Sequence, residues 1–294
     1  MIGHFRWRDG LGFLRPGGCL TRVTIVVPCF NEERRLQGER FAELALRDGL
    51  RVLFVDDGST DGTRRVLAEA CARIGERASA LHLERNQGKA EAVRRGLLAA
   101  LDAGAEVVGY LDADLATPPS EMLRLVELVG EDGAQAALGS RVALLGRHIV
   151  RRASRHYLGR VFATLASIIL DLRVYDTQCG AKAFAASPLL CAALAAPFSA
   201  RWAFDVELIG RLLAGAPGLP GLREDAFVEL PLRSWTDVAG SKLRPLQFPL
   251  LGLELVKIHL SLRRLRAASR AAPAIAAPLE GPAVQSPAAP KHLA

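Results

Sequence analysis

The first half of the chain alternates short apolar runs with longer amphipathic segments, and this alternation limits the possible folds more than any other feature. The apolar runs predict strands at residues 23–27, 51–55, 81–83, 107–111 and 134–138, and the segments between them predict helices at 31–46, 61–74, 88–101 and 118–129. Strands that are separated by helices pair in parallel and are covered by helices on both faces. The sequence therefore predicts an α/β fold with a mostly parallel sheet.

After residue 140 the alternation stops. The pattern predicts a long helix at 151–170, a loop at 176–180, helices at 188–195 and 204–213, and a strand at 226–232. The segment 246–266 is amphipathic, because Leu251, Leu255, Ile258, Leu262 and Leu265 fall on one helical face. We expect a flexible segment at 1–20, one domain at 21–245 with halves 21–140 and 141–245, a basic amphipathic helix at 246–270 and a disordered Ala/Pro-rich tail at 271–294.

The net charge of +7 is unevenly distributed. Six arginines and no acidic residues lie between 141 and 170, and five basic residues and no acidic ones lie between 257 and 270. Nucleic-acid binders usually place aromatic residues among such charges, so anionic lipid or phosphate is the better partner and no nucleic acid is expected.

The five cysteines show no CxxC spacing, and neither a signal peptide nor an apolar run of about 18 residues is visible, which favours a cytoplasmic location.

Two of the predicted strands end on aspartates. Asp56 and Asp57 follow the run 51–55, and Asp112 and Asp114 follow the run 107–111. Ligands of parallel sheets bind at the carboxyl ends of the strands. Two carboxylates spaced i, i+2 at that edge can hold a hard divalent cation, which in turn binds a diphosphate. The alternative is an acidic loop that caps the next helix, and the lack of a GxGxxG motif argues against a dinucleotide fold.

Two further loops carry candidate ligand contacts. Residues 28–32, with Phe30 and Glu32, could surround a nucleotide base, although Asn31 could equally cap an ordinary turn. Residues 86–89 place Lys89 in the first turn of a predicted helix, where a cation is unfavourable unless an anion is bound. Lys89 is therefore either a phosphate or ribose contact or a solvated side chain.

From residue 23 to about 266 the chain resembles the inverting family 2 glycosyltransferases of the GT-A fold that load sugars onto polyprenyl phosphate, and among them the dolichyl-phosphate glucosyltransferase branch. The resemblance is carried by residues 28–32, 56–63, 86–89, 112–119, 139–141, 176–182, 201–208 and 235–242. The strings DTQCG, RWAFDVEL and WTDVAGSK in the last three segments are specific to this branch. Phe30 stands where the family often has tyrosine, and the N-terminal anchor of the eukaryotic members is not seen.

The resemblance implies a UDP-sugar donor, a polyprenyl-phosphate acceptor and a bound Mg²⁺ or Mn²⁺. It assigns the first half of the domain to the donor and the second to the acceptor. The implied donor residues are Pro28, Phe30, Glu32, Asp57, Asn86, Lys89 and Asp112, with Asp112 and Asp114 as metal ligands. The implied acceptor residues are Arg141, Gln178, Lys182, Trp202, Ser241 and Lys242, and the implied catalytic residues are Asp114, Asp205, Arg141 and Lys242.

Asp205 has three possible roles. It could be the base for a hydroxyl acceptor, it could orient a basic side chain, or it could simply lie at a helix N-terminus. A phosphomonoester has a second pKa of about 6 and hardly needs a base, so the identity of the acceptor decides among these roles. The alternative functions are transfer to a sugar hydroxyl and a non-enzymatic UDP-sugar-binding or membrane-surface adaptor.

Membrane contact is expected to be peripheral, on the inner face of the plasma membrane. The arginines at 147–160 and the helix at 246–266 would provide it, unless both segments pack on the protein core instead.

Overall fold

The computed structural model describes residues 22–130, 133–150, 153–238 and 248–271, and it describes the side chains of these residues except at 153–158 and 248–250. The predicted N-terminal segment, nearly all of the predicted tail, and the predicted acceptor residues Ser241 and Lys242 lie outside the described residues.

A seven-stranded sheet in the order β3-β2-β1-β4-β7-β5-β8 forms the centre of the molecule. Its strands are β1 (Val23–Cys29), β2 (Leu50–Asp56), β3 (Ala78–His82), β4 (Val107–Leu111), β5 (Ala136–Ser140), β7 (Ala181–Ala185) and β8 (Phe227–Pro231). All neighbours pair in parallel except β7, which is antiparallel to both β4 and β5. A second sheet pairs β6 (His148–Val150) with β9 (Ser234–Thr236) in parallel. The predicted α/β fold with a mostly parallel sheet is confirmed.

Helices cover both faces of the main sheet. They are α1 (Ala42–Ala45), α2 (Thr63–Ile74), α3 (Lys89–Asp102), α4 (Pro119–Gly130), α5 (Ala153–Leu170), α6 (Pro188–Ala195), α7 (Phe204–Ala214) and α8 (Phe248–Ala271), with 3-10 turns at Gly38–Phe41, Gly75–Arg77 and Glu224–Ala226. Residues of α1, α2 and α4 share one buried core with the sheet, and residues of α3, α6 and α7 share another. Each of these six helices buries apolar side chains in a core shared with the strands, which supplies most of its stability.

The predicted helix at 31–46 is wrong for its first half. Asn31 has a positive φ of 53°, which a helix does not allow. Its neighbours bond to the loop after β2 instead: Thr60 N donates to Asn31 Oδ1 at 2.9 Å, and Glu32 N donates to Thr63 Oγ1 at 2.8 Å. Only the short helical turns at 38–45 remain of the predicted helix.

The apolar stripe of α8 is covered by the protein itself. Leu251, Leu255, Ile258 and Leu262 are buried in a third core with residues of α5 and α7. The apolar stripe that was predicted to contact a membrane therefore packs in the protein core. In the described ranges, no helix is long and apolar enough to cross a bilayer.

Candidate active site

The strand order brings the predicted carboxylates to one edge of the sheet. β1 lies between β2 and β4, so the loops that follow these three strands are neighbours at their carboxyl ends. Asp112 continues the ladder between β4 and β7 by one residue, because its N–H donates to the Gly180 carbonyl at 2.9 Å. A ligand at this edge would therefore contact residues from both halves of the domain.

The loops after β1 and β2 are bonded to each other. Asn31 N donates to Ser59 Oγ at 3.0 Å, and Gly62 N donates to Glu33 Oε2 at 3.1 Å. Glu32 is buried and accepts two bonds from the Arg35 guanidinium, at 2.9 and 2.6 Å. These bonds hold the two loops together, and beside them Pro28, in β1, and Phe30 are half-buried.

Asp57 fixes the turn that leads into α3. Its carboxylate accepts bonds from Gln87 N at 2.8 Å, Gly88 N at 2.7 Å and Asn86 Nδ2 at 3.0 Å. Burial raises the pKa of Asp57 and outweighs the opposite effect of these bonds. The structure thus gives Asp57 and Asn86 a positioning role, and their predicted contact with the nucleotide stays a prediction.

Lys89 and Asp112 form an ion pair at the centre of the edge. Lys89 Nζ lies 2.6 Å from Asp112 Oδ1, and the ammonium also lies 5.8 Å from the centre of the Phe204 ring. Burial alone would lower the pKa of Lys89, but the charge of Asp112, followed by that of Asp205, raises it. The structure therefore brings together two residues that the sequence assigned to the donor.

Gly180 explains how the Asp112 carboxylate reaches its place. A Cβ atom on Gly180 would overlap the Asp112 carboxylate, which lies directly over the glycine. Glycine at this position of the DTQCG string is thus needed for the close approach of the carboxylate.

Asp112 and Asp114 suit a divalent cation that takes its remaining ligands from phosphate groups and water. Asp114 Oδ1 accepts a bond from Ala116 N at 3.1 Å, and burial followed by the charge of Asp112 raises the pKa of Asp114. No group of three or more His, Cys, Asp or Glu side chains forms a metal site in the described part of the chain. Mg²⁺ sites in enzymes commonly use one or two carboxylates and take their remaining ligands from phosphates and water. The pair suits that arrangement.

A cavity of about 520 Å³ opens beside Asp114. Arg34, Arg35 and Arg40 line one side of it, and Thr236 and Val238 line another. The sequence reasoning missed these arginines because it placed them on a helix, although the run Arg34-Arg35 was visible. Their charges make the cavity suitable for an anionic group next to a metal at Asp114.

Arg141 is held by a carboxylate of the DTQCG string. Its Nε and one terminal nitrogen donate to Asp176 at 2.6 and 2.8 Å, and its backbone N–H donates to the same carboxylate at 3.0 Å. Its guanidinium also lies 5.4 Å from the centre of the Trp235 ring. Burial lowers the pKa of Arg141, but the Asp176 charge outweighs this effect and raises it. The predicted acceptor contact of Arg141 would have to be shared with this ion pair.

Lys182 lies elsewhere than the sequence reasoning expected. It is 0% exposed, and its ammonium donates to Asp205 Oδ1 at 2.8 Å and to the Cys179 carbonyl at 2.6 Å. The Tyr110 hydroxyl donates to the same oxygen of Asp205, which is itself 4% exposed. Burial, and then the charge of Asp205, raise the pKa of Tyr110 well above its usual value. Because the Lys182 ammonium is engaged by Asp205 and by the Cys179 carbonyl, this position argues against its predicted acceptor contact, and Asp205 is engaged as its counter-ion.

Trp202 and Gln178 lie in loops beside this cluster. Trp202 is half-buried, and its N–H donates to Glu254 of α8 at 3.1 Å, as do the N–H groups of Arg201 at 3.1 Å and Ala203 at 2.9 Å. Gln178 N donates to Asp176 Oδ1 at 3.0 Å. Both residues lie close in sequence to site residues, and their predicted acceptor contacts stay predictions.

The sheet order and the helices on both faces of the sheet match the GT-A fold of glycosyltransferases. The solved structure of glucosyl-3-phosphoglycerate synthase from Mycobacterium tuberculosis with UDP superposes with a TM-score of 0.59 at 20% identity, covering 82% of this chain and 80% of that one. The same synthase has been solved with Mn²⁺, UDP and glucosyl-3-phosphoglycerate, at a TM-score of 0.59 over 90% of this chain and 87% of that one.

The chain belongs to glycosyl transferase family 2, whose model matches residues 24–189. It is 32% identical over 244 residues to dolichyl-phosphate beta-glucosyltransferase of Mus musculus and 35% identical over 243 residues to that of Drosophila melanogaster. Each match covers 76% of this chain, and 70% and 69% of the relatives. Undecaprenyl-phosphate 4-deoxy-4-formamido-L-arabinose transferase of Edwardsiella ictaluri is 33% identical over 164 residues, 53% of this chain and 49% of that protein.

Proposed function

We propose that the chain transfers a hexose, with glucose as the first candidate, from a UDP-sugar to a polyprenyl phosphate with inversion at the anomeric carbon. The relatives named for dolichyl-phosphate and undecaprenyl-phosphate transfer support this class of acceptor. The observation that carries the proposal is the engagement of Asp205 by Lys182 and Tyr110. A hydroxyl acceptor needs a free base, whereas an ionised phosphate does not.

The donor would lie across the ends of β1, β2 and β4. Pro28 and Phe30 would contact the base, and Glu32, Asp57 and Asn86 would hold the surrounding loops in place. Asp112 and Asp114 would hold Mg²⁺ or Mn²⁺, which when bound neutralises charge on the departing diphosphate. Lys89 would turn from Asp112 to the diphosphate in that complex. Asp112 would then be paired with the metal ion and Lys89 with the diphosphate, and each of these interactions is stronger than the present ion pair.

The acceptor phosphate needs positive charge more than it needs a base. An oxygen of the phosphate attacks the anomeric carbon, the bond from that carbon to the UDP oxygen breaks, and the electron pair leaves with UDP. Two anions must approach each other, so cationic side chains lower the barrier. Arg34 and Arg40 line the cavity beside Asp114 and would serve this purpose, together with the predicted Lys242.

The test compares acceptors and removes the buried pair. Breaking it by Asp205→Asn alone would leave Lys182 uncompensated and cost about 3–5 kcal/mol of stability, whereas replacing both residues by Leu is often neutral. We therefore expect the double variant Lys182→Leu, Asp205→Leu, made together with Tyr110→Phe so that no buried hydroxyl loses its acceptor, to fold. It should keep phosphate transfer within about tenfold, since loss of an orienting group costs less than loss of a base. The measurement is lipid-linked hexose formed from UDP-glucose with Mn²⁺ and undecaprenyl phosphate, with hydroxyl acceptors in parallel.

Two outcomes distinguish phosphate transfer from hydroxyl transfer. Retained phosphate transfer with an unchanged pH profile supports the proposal. Transfer by the wild type to hydroxyl acceptors alone, lost in the folded variant that carries all three changes, would instead establish the hydroxyl-transfer function with Asp205 as base.

The outer faces of α5 and α8 support a peripheral membrane contact on the cytoplasmic side. These two helices pack against each other and against α7, and their outward sides carry Val161, Leu165, Ile168, Leu253, Val256 and Leu260, all exposed. Lys257 and Arg263 are exposed on the same helix α8. Apolar side chains beside cations match the surface of an anionic bilayer.

Flotation with anionic vesicles at low salt checks this contact. We expect the protein to float with the vesicles and the triple variant Leu253→Ser, Val256→Ser, Leu260→Ser to lose at least about tenfold in partitioning, because apolar area is no longer transferred from water. The control is Leu46→Ser, which changes an exposed leucine in the 3-10/α1 region. Equal flotation of both variants would show that α8 does not contribute to the membrane contact.

A further inference from the structure

Four buried side-chain polar atoms in the described part of the chain have no hydrogen bond, and they belong to the ends of β4 and β5 and to the loop before β7. They are Asp112 Oδ1, Ser140 Oγ, Thr177 Oγ1 and Gln178 Nε2. Asp112 Oδ1 is nevertheless partnered, because the Lys89 ammonium lies 2.6 Å from it as an ion-pair partner, so the three remaining atoms are the unpaired ones. Ser140 is 0% and Thr177 1% exposed. Unpaired buried groups are costly and rare, so these three point to a polar ligand.

The strand register places three of the positions in a row. β4 pairs with β7 up to Leu111 and Ala181, and the Asp112 N–H extends this ladder to Gly180. β5 pairs with β7 up to Leu138 and Lys182, and two further positions bring Ser140 beside Gly180. Strands lie about 5 Å apart, so Asp112 and Ser140 are separated by roughly 10 Å across the glycine.

The row faces α7. Residues two apart on a strand share a face. Tyr110 lies two positions before Asp112 on one strand, and Lys182 lies two positions after Gly180 on the other. The side chains of Tyr110 and Lys182 both bond to Asp205 at the start of α7. Leu138, two positions before Ser140, shares a core with α7 residues. Asp112 and Ser140 therefore stand on either side of Gly180 with the Lys182–Asp205 pair next to them. Thr177 and Gln178 lie in the loop just before Gly180.

The chemistry of these groups indicates what they bind. Two hydroxyls can donate and accept, an amide NH₂ donates, and a carboxylate accepts. Arg141 is paired with Asp176 and Lys182 with Asp205, and Lys89, which pairs with Asp112 here, is assigned to the diphosphate in the donor complex. A phosphate would find carboxylates here and cations that are already engaged. The set matches a neutral compound with several hydroxyl groups.

We propose that Ser140, Thr177 and Gln178, arranged around Gly180, form the subsite that binds the hydroxyls of the donor's hexose and selects among hexoses. This inference rests on the proposed function and deepens it. Gln178, which the sequence assigned to the acceptor, then belongs to the donor sugar. Thr177 and Ser140 were not singled out from the sequence, although both lie within strings that it identified.

The experiment separates binding of the sugar from binding of the nucleotide. The variants Ser140→Ala and Thr177→Val are titrated with UDP and with UDP-glucose in the presence of Mn²⁺, and their melting temperatures are measured. We expect the Kd for UDP-glucose to rise about tenfold in each and the Kd for UDP to stay unchanged. Selectivity between UDP-glucose and its epimers in the transfer assay should fall.

Stability gives a second readout. Removing a hydroxyl that has no protein partner should leave the melting temperature equal or higher. The control, Ser187→Ala, removes a hydroxyl that accepts a bond from Leu190 N at the start of α6, so it should lower the melting temperature by roughly 2–4 °C and leave donor affinity unchanged. Variants that lose melting temperature as the control does, that weaken UDP and UDP-glucose equally, or that match the wild type would each overturn the subsite.

The behaviour of the wild-type protein distinguishes failure of the subsite from failure of the proposed function. If it binds and transfers the hexose while both variants behave like it, only the subsite is refuted. If it neither binds UDP-glucose more tightly than UDP nor transfers the sugar, the proposed function fails together with the subsite.

Discussion

Replacing Asp114 by asparagine is expected to lower the rate of sugar transfer about a thousandfold while the protein stays folded. A bound cation contributes several kcal/mol by stabilising charge on the leaving diphosphate, and about 4 kcal/mol corresponds to a thousandfold in rate. Asp114 supplies one of the two candidate metal ligands, and within the described residues no third His, Cys, Asp or Glu side chain joins them in a metal site. Transfer rates at saturating UDP-glucose and a titration of Mn²⁺ in the presence of UDP measure the effect.

The control for this prediction is Asp225→Asn. Asp225 is an exposed carboxylate whose ion-pair partner is the exposed Arg223, at 3.4 Å. Its replacement should change neither the rate nor the affinity for Mn²⁺. Activity of the Asp114 variant that persists in the presence of a chelator would contradict a metal-dependent site at this edge.

Replacing Gly180 by alanine is expected to lower transfer at least about a hundredfold. The added Cβ would overlap the Asp112 carboxylate, so this side chain must move away from its present position. A displacement of about 1 Å at a reacting centre can cost a hundredfold in rate. The change leaves the charges of Asp112 and Asp114 intact, so it isolates the effect of position from that of ligand identity.

Gly252→Ala serves as the matched control, because a Cβ on Gly252 meets no atom within 4 Å. This glycine lies in α8, where alanine favours the helix by about 1 kcal/mol, so the control variant should be fully active and equally or more stable. Full activity of Gly180→Ala would mean that the carboxylate can reach the metal from another position.

The strands and most of the helices of the first half of the domain could be predicted from the sequence because their signals are local. Short runs such as Val107–Leu111 are apolar throughout and end on carboxylates, and this combination predicts both a buried strand and a site at its end. Lys89 in a first helical turn was a similar local signal, and the structure places it 2.6 Å from Asp112. Fold class, family and the edge that carries the candidate site could all be inferred in this way.

The remaining features depend on contacts that are distant in the sequence. β7 was not predicted because Ala181–Ala185 holds a lysine and three alanines, and its place between β4 and β5 follows from packing. The buried state of Lys182 requires Asp205, which is 23 residues away. Arg34 and Arg35 of the cavity were assigned to a part of the predicted helix that the positive φ of Asn31 and its bonds to the loop after β2 prevent.

The three backbone bonds that Glu254 accepts have a mechanical consequence. They fasten α8 to the segment immediately before α7, and charge-assisted bonds of this kind are among the stronger ones in proteins. A lipid surface on which α8 rests would therefore lie at a constant height below the reaction centre. Acceptors would then be sorted by how far their phosphate projects from the bilayer, and the length of the isoprenoid tail would matter little.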